Sequence, residues 1–135
     1  MKKVLFTLFI CLTSLSIANA QTQMEMNDEA FKSYKKTDAE LGRVYQKILV
    51  KYAKNVAFIN ALRSSERLWI QFRDAEVKMM YPAADSRSEY GSMYPLCLYS
   101  YLESLTRSRT TQLSQWLKEP ADGDGCSGSI GSFEL

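Results

Sequence analysis

Three apolar stripes, each repeating at alternating gaps of four and three, leave this chain little choice but to be helical. The first passes through Asn27, Phe31, Tyr34, Asp38, Leu41, Tyr45, Ile48 and Tyr52. The second holds Phe58, Leu62, Ser65, Trp69, Phe72, Glu76 and Met79, and Pro82 ends it. The third holds Leu98, Leu102, Leu105, Arg109, Gln112 and Trp116, and closes before Pro120. Residues at such gaps share one face of a helix, so each stripe is a buried seam between solvated sides. Asn55 is placed to cap the second helix and Ser92 the third, with Pro95 tolerated in its first turn. No segment alternates with the period of two that a half-buried strand needs. The fold class expected is therefore all-α, an antiparallel three-helix bundle with a flexible Gly/Ser-rich C-terminal tail. Its core draws on Phe31, Tyr34, Leu41, Tyr45, Ile48, Phe58, Leu62, Trp69, Phe72, Leu98, Leu102, Leu105 and Trp116.

Ahead of the stripes, "MKKVLFTLFICLTSLSIANA" has a basic start, an apolar middle and an A-x-A end. That is the form of a secretory signal peptide, cleaved between Ala20 and Gln21. The domains expected are thus residues 1–20 as leader, 21–118 as the helical domain and 119–135 as the tail. The product is exported, periplasmic or secreted. Of 17 basic residues, Lys2 and Lys3 leave with the leader, and the remaining 15 balance 15 acids. A neutral chain has no long-range field to attract nucleic acid, and no later apolar run approaches the roughly 20 residues of a membrane span.

The chain has no histidine, which excludes histidine metal sites and histidine-dependent triads. "DGDG" at Asp122–Gly125 begins like a calcium loop, but Cys126, Ser127 and Phe133 occupy positions where that loop needs its ligands or glycine. Glu66, Asp74 and Glu76 are close in sequence, yet nothing in their spacing implies the cleft a glycosidase needs. No metal, cofactor or catalytic residue is expected.

Two cysteines outlast the leader, Cys97 and Cys126, and an exported chain meets an oxidising compartment. An intramolecular disulfide is the expectation, with intermolecular pairing or two thiols as rivals. Geometry makes the bond demanding. A helix from Cys97 to Lys118 rises about 31 Å. The eight residues to Cys126 span at most roughly 28 Å, to which the bonded Cα separation adds about 5.5 Å. The tail would have to run back along the helix nearly straight.

"RLWIQFRDAE" (Arg67–Glu76) interleaves apolar and charged residues. Trp69 and Phe72 lie on the stripe and are expected as core anchors, Arg67 and Asp74 fall off it, and Arg73 borders it. Asp38 lies on the first stripe and Arg109 on the third. A carboxylate on a buried face needs a cationic partner, so Asp38 is expected to meet Arg109 or Arg73 in a polar network that fixes helix register.

"TQMEMN" (Thr22–Asn27), "TDAELGRVY" (Thr37–Tyr45), "LRSSERLWIQFRDAE" (Leu62–Glu76), Gly91-Ser92, Cys97 and "LTRSRTTQL" (Leu105–Leu113), in that order, resemble the LprI-type lysozyme inhibitor N-terminal domain family. The resemblance covers nearly all the mature chain to Trp116. Family patterns carry cysteines where this sequence has Glu29 and Val77. The resemblance implies that one helix-to-helix disulfide has been lost as a unit, leaving Cys97 to Cys126. It also implies favoured positions at Asp38, Trp69, Arg73, Asp74 and Arg109, and a non-catalytic protein whose partner is a lysozyme. The connector from Ala83 to Ser92, with Asp85, Arg87, Glu89 and Tyr90, is the candidate binding loop, because loops on rigid scaffolds commonly carry binding. The competing reading is an envelope interaction or scaffold module that binds another exported protein or peptidoglycan without inhibiting lysozyme.

Overall fold

The computed structural model describes residues 2–120, 123 and 125–132, with side chains from Thr22 onward within the first helix. The side chains of the expected leader and of Gln21, which follows it, lie outside the described part of the structure. Helix α1 spans Lys2–Lys51, α2 Val56–Met80, α3 Ser86–Tyr90 and α4 Tyr94–Ser114, followed by a 3-10 turn at Gln115–Leu117. Among the described residues the fold is all helical.

The α1–α2 corner forms as its sequence requires. Asn55 Oδ1 accepts the Phe58 amide at 3.0 Å and so caps α2. At the other end α2 stops at Met80, just short of Pro82. The cap expected from Ser92 is not the one used. Leu96, in the first turn of α4, instead donates its amide to Asn27 Oδ1 on α1 at 3.2 Å. Asn27 Nδ2 donates to the Ser92 carbonyl at 3.0 Å. One side chain thus satisfies an amide of the first turn, as a local cap would have done, and also holds the carbonyl that precedes the helix.

The cross-helix contacts give the helix directions. Asn27 meets Leu96, Thr37 meets Glu103 and Arg107, and Lys51 meets Leu117. Residue numbers rise together along both helices, so α1 and α4 run parallel. Helix α2 runs against α4, since Glu66 pairs with Arg109 and Glu76 with Tyr101. Helices α1 and α4 form the close pair, and α2 packs less tightly. Small residues explain this. Ala30, Thr37, Thr106 and Thr110 are buried, and short side chains let two helix backbones approach. The hydroxyls of Thr110, Thr111 and Ser114 are satisfied by carbonyls four residues back.

The core sits at one end. Leu41, Ile48, Tyr52, Ile59, Leu62 and Leu113 are buried together, with Phe58, Trp69 and Trp116 packed against them. Towards the other end burial declines. Phe31 is 42% exposed and Phe72 52%, so neither is the core residue its stripe position suggested. A stripe marks which face turns inward, but the looser packing of α2 leaves Phe72, in its second half, largely uncovered.

The tail also departs from expectation. Residues 127–132 return to the core end. Trp116 Nε1 donates to Ser129 Oγ at 3.0 Å, the Gly131 amide to the Tyr52 hydroxyl at 3.0 Å, and Asn55 Nδ2 to the Ser132 carbonyl at 3.2 Å. Gly131 has φ +81°, and a Cβ there would fall 2.9 Å from Pro120 Cδ, so glycine is required. Cys97 and Cys126 are exposed and not bonded to each other. The reason is geometric. The tail turns back over the C-terminal end of α4, whereas Cys97 occupies the first turn of that helix, about 25 Å away at 1.5 Å per residue.

Candidate functional site

Two constellations stand out, a polar network on Trp69 and a tyrosine-backed turn at the opposite end from the core. The first grows from the second stripe. Trp69 is half-buried, and the Arg73 guanidinium lies 5.5 Å from its ring and that of Arg109 5.9 Å. Such distances suit cation–π attraction. Arg109 Nε and Nη2 reach Glu66 Oε2 at 3.1 and 3.0 Å, and Nη2 also reaches Ser65 Oγ at 3.0 Å. Only 11% of the Arg109 side chain and 15% of Glu66 are exposed, so the pair is largely removed from water.

Arg109 therefore finds its carboxylate on α2 rather than at Asp38. Arg73 holds neighbouring Asp74 through Nε at 3.0 Å and Nη2 at 2.8 Å. Asp38 lies 4.0 Å from Lys35 on its own helix. Asp38 and Arg73 both act on the Tyr34 hydroxyl. Burial pushes that hydroxyl above its ordinary value, Arg73 opposes the rise, and Asp38 and Asp74 add to it. Glu66 was passed over in the sequence because it is one position off the stripe. A long side chain beside Ser65 still reaches across the seam.

A third contact, missed altogether in the sequence, joins α1 to α4. Glu103 pairs with Arg107, and Thr37 Oγ1 lies 3.5 Å from Glu103 and 3.4 Å from Arg107. Hydrogen bonding from Ser33, then from Arg107, holds the Glu103 carboxyl below its ordinary range. Its signal was Glu103 and Arg107 four apart on a helix, a spacing that favours pairing.

The second constellation is the connector expected as a loop, which contains the single helical turn α3. Asp85 caps it, accepting the Ser88 amide at 3.1 Å. Ser86 Oγ donates to the Ala83 carbonyl at 3.0 Å. Gly91 ends the turn at φ +73°, ψ −165°, a region closed to other residues. Tyr90 is packed into a cluster. Its ring lies 5.4 Å from Tyr81 and 5.9 Å from Tyr94, those two are 5.1 Å apart, and its hydroxyl accepts the Ala83 amide at 3.4 Å. Burial raises the Tyr81 hydroxyl above its ordinary value.

Of the four candidate binding residues, Asp85 and Tyr90 thus build the turn, while Arg87 and Glu89 are exposed and form no side-chain bond or ion pair with described residues. Arg87 borders an open groove of about 810 Å³ against the start of the described side chains of α1, with Gln23, Met24, Met26, Asn27 and Ser92. Among the described residues no three His, Cys, Asp or Glu side chains gather as a metal site. Nor is any described helix long and apolar enough to cross a membrane.

Comparison with known proteins gives this arrangement a context. The family model described as "Lysozyme inhibitor LprI" matches residues 16–113. An uncharacterized protein of Rhizobium meliloti (strain 1021) is 28% identical over 110 residues, covering 73% of this chain and 76% of its own length. No solved structure matches. The matched span includes Asn27, the Trp69 network and the α3 turn, and ends at Leu113, ahead of the docked tail.

Proposed function

We propose, because this chain belongs to the LprI family of lysozyme inhibitors, that it is an exported, non-catalytic protein that binds a lysozyme and protects the cell envelope from it. The observation that carries this reading is the family match across α1, α2, α3 and α4. The leader-like first twenty residues support export, with processing after Ala20 leaving Thr22, at the edge of the groove, as the second residue of the mature chain.

The inhibitory element in this proposal is α3 with its flanks, which blocks the substrate cleft. A turn that must occupy a cleft benefits from being held in its bound form beforehand. The Asp85 cap, the Gly91 terminus and the Tyr81–Tyr90–Tyr94 cluster do that. Inhibition of cell-wall clearing by the processed protein, titrated against several lysozyme classes, tests the function. Mass analysis of its N-terminus tests export.

One observation favours the second reading, an envelope module that captures another exported protein. Leu68, Phe72 and Met79 on α2 are 63%, 52% and 67% exposed, and their spacing puts them on one side of the helix. Charged substitutions on that stripe that leave lysozyme inhibition intact but abolish an envelope association would favour it.

A further inference from the structure

We infer that the end of the bundle opposite the core is the partner-binding face, and that Arg87 is its anchor, a guanidinium that meets a catalytic carboxylate in the lysozyme cleft. The inference rests on the lysozyme reading and adds to it the contact residue and the chemistry of the contact.

The methionines mark the face. Every methionine after Met1 is exposed, from 38% for Met26 to 67% for Met24 and Met79. Met24 and Met26 lie at the start of the described side chains of α1. Met79 and Met80 are the last residues of α2, and Met93 directly precedes α4. The fold brings these segments to one end. Asn27 bonds Ser92 and Leu96, and Tyr81, next after Met80, packs on Tyr94, next after Met93. None of the five is needed for the core, which lies at the opposite end. Unbranched, polarisable thioethers adapt to an irregular partner surface, and exposed methionine is over-used for that purpose.

Arg87 supplies what methionines lack, a direction. Among the described residues it is the one charged residue lining the groove, and it forms no ion pair or side-chain bond with any of them. The half-buried Arg73 and Arg109, by contrast, are committed to carboxylates of their own. A lysozyme cleft holds two carboxylates, one acting as acid and the other as nucleophile or stabiliser. The planar guanidinium matches a carboxylate with two parallel hydrogen bonds. The processed chain, with 15 basic and 15 acidic residues once Lys2 and Lys3 are removed, can thus present positive charge at the point where a partner's cleft is negative.

The test uses the exported, processed protein and its R87A, R87K and M80K/M93K variants, with inhibition constants and calorimetric affinities measured against one lysozyme and its acid Glu→Gln variant. R87A is expected to weaken binding by at least about tenfold, and R87K by less. Because Arg87 bonds none of the described residues, the helix content and melting temperature of R87A should match the parent. M80K/M93K should also bind more weakly. The lysozyme Glu→Gln change should weaken the parent inhibitor and leave R87A unaffected, which identifies the carboxylate as the contact. A parent that inhibits while R87A inhibits equally overturns the Arg87 assignment alone. Unchanged binding by M80K/M93K overturns the assignment of the methionine face. Failure of the parent to inhibit any lysozyme overturns the family-based reading and this inference together.

Discussion

Asn27 on α1 accepts the backbone amide of Leu96, 69 residues later, at 3.2 Å, and so caps α4 from outside its own chain segment. The same side chain donates to the Ser92 carbonyl and accepts from Gln23. It fixes where α4 begins relative to α1, and thereby where the α3 turn stands. Asn27→Ala removes the cap and should cost about 1–2 kcal/mol, in the range measured for N-caps. Denaturant unfolding checks the size of the loss. Asn27→Asp keeps the acceptor and should be milder.

The Arg109–Glu66 pair is largely shielded from water, so losing one member strands the other. Arg109→Met or Glu66→Leu alone should cost about 2–3 kcal/mol, less than for a fully enclosed pair because both side chains keep some exposure. The double variant should recover most of that loss, since no unpaired charge remains. A thermal or urea double-mutant cycle measures the coupling, and additive losses would contradict the pairing.

Both results bear on how much the residues reveal before folding. The stripes place α1, α2 and α4, and Asn55 and Pro82 mark the bounds of α2, because periodicity and capping are local. The closeness of α1 to α4, with α2 the looser member, was not legible, because it depends on Ala30, Thr37, Thr106 and Thr110, small residues that carry no stripe signal. The partner of Arg109 was sought on a stripe, where Asp38 sits, but a glutamate's reach frees it from strict register. Phe72 illustrates the limit of periodicity, which gives a face and not its cover. At the candidate site, Arg87 and Glu89 could be proposed from the sequence, whereas the roles of Asp85 as cap and Tyr90 as buttress needed the turn itself.

Tyr52 ties three segments at the core end. Its hydroxyl donates to the Trp116 carbonyl at 3.1 Å and accepts the Gly131 amide at 3.0 Å. Tyr52→Phe leaves those groups to find other partners and should cost about 1–3 kcal/mol. Exchange of the Gly131 amide with deuterium should accelerate along with the fall in stability. A Gly131 amide unprotected in the parent protein would contradict the docked tail.

Glu103 gives the fold a pH dependence of known sign. Its folded-state pKa is depressed, chiefly by the Ser33 hydrogen bond and then by Arg107. The unfolded chain therefore binds the proton more readily, and this contribution to stability is present above the unfolded value near 4.5 and lost as pH falls through the folded one. Melting temperatures from pH 7 to pH 3 should fall less steeply for Glu103→Gln than for the parent. Equal slopes would remove Glu103 from the account.

The function turns on whether a lysozyme is stopped. The most direct measurement is a cell-wall clearing assay with the exported, processed protein titrated into lysozymes of several classes. The account predicts saturable inhibition of at least one class near stoichiometric protein, lost in R87A while its melting temperature holds. Undiminished clearing by every class at large molar excess of the folded protein would contradict it.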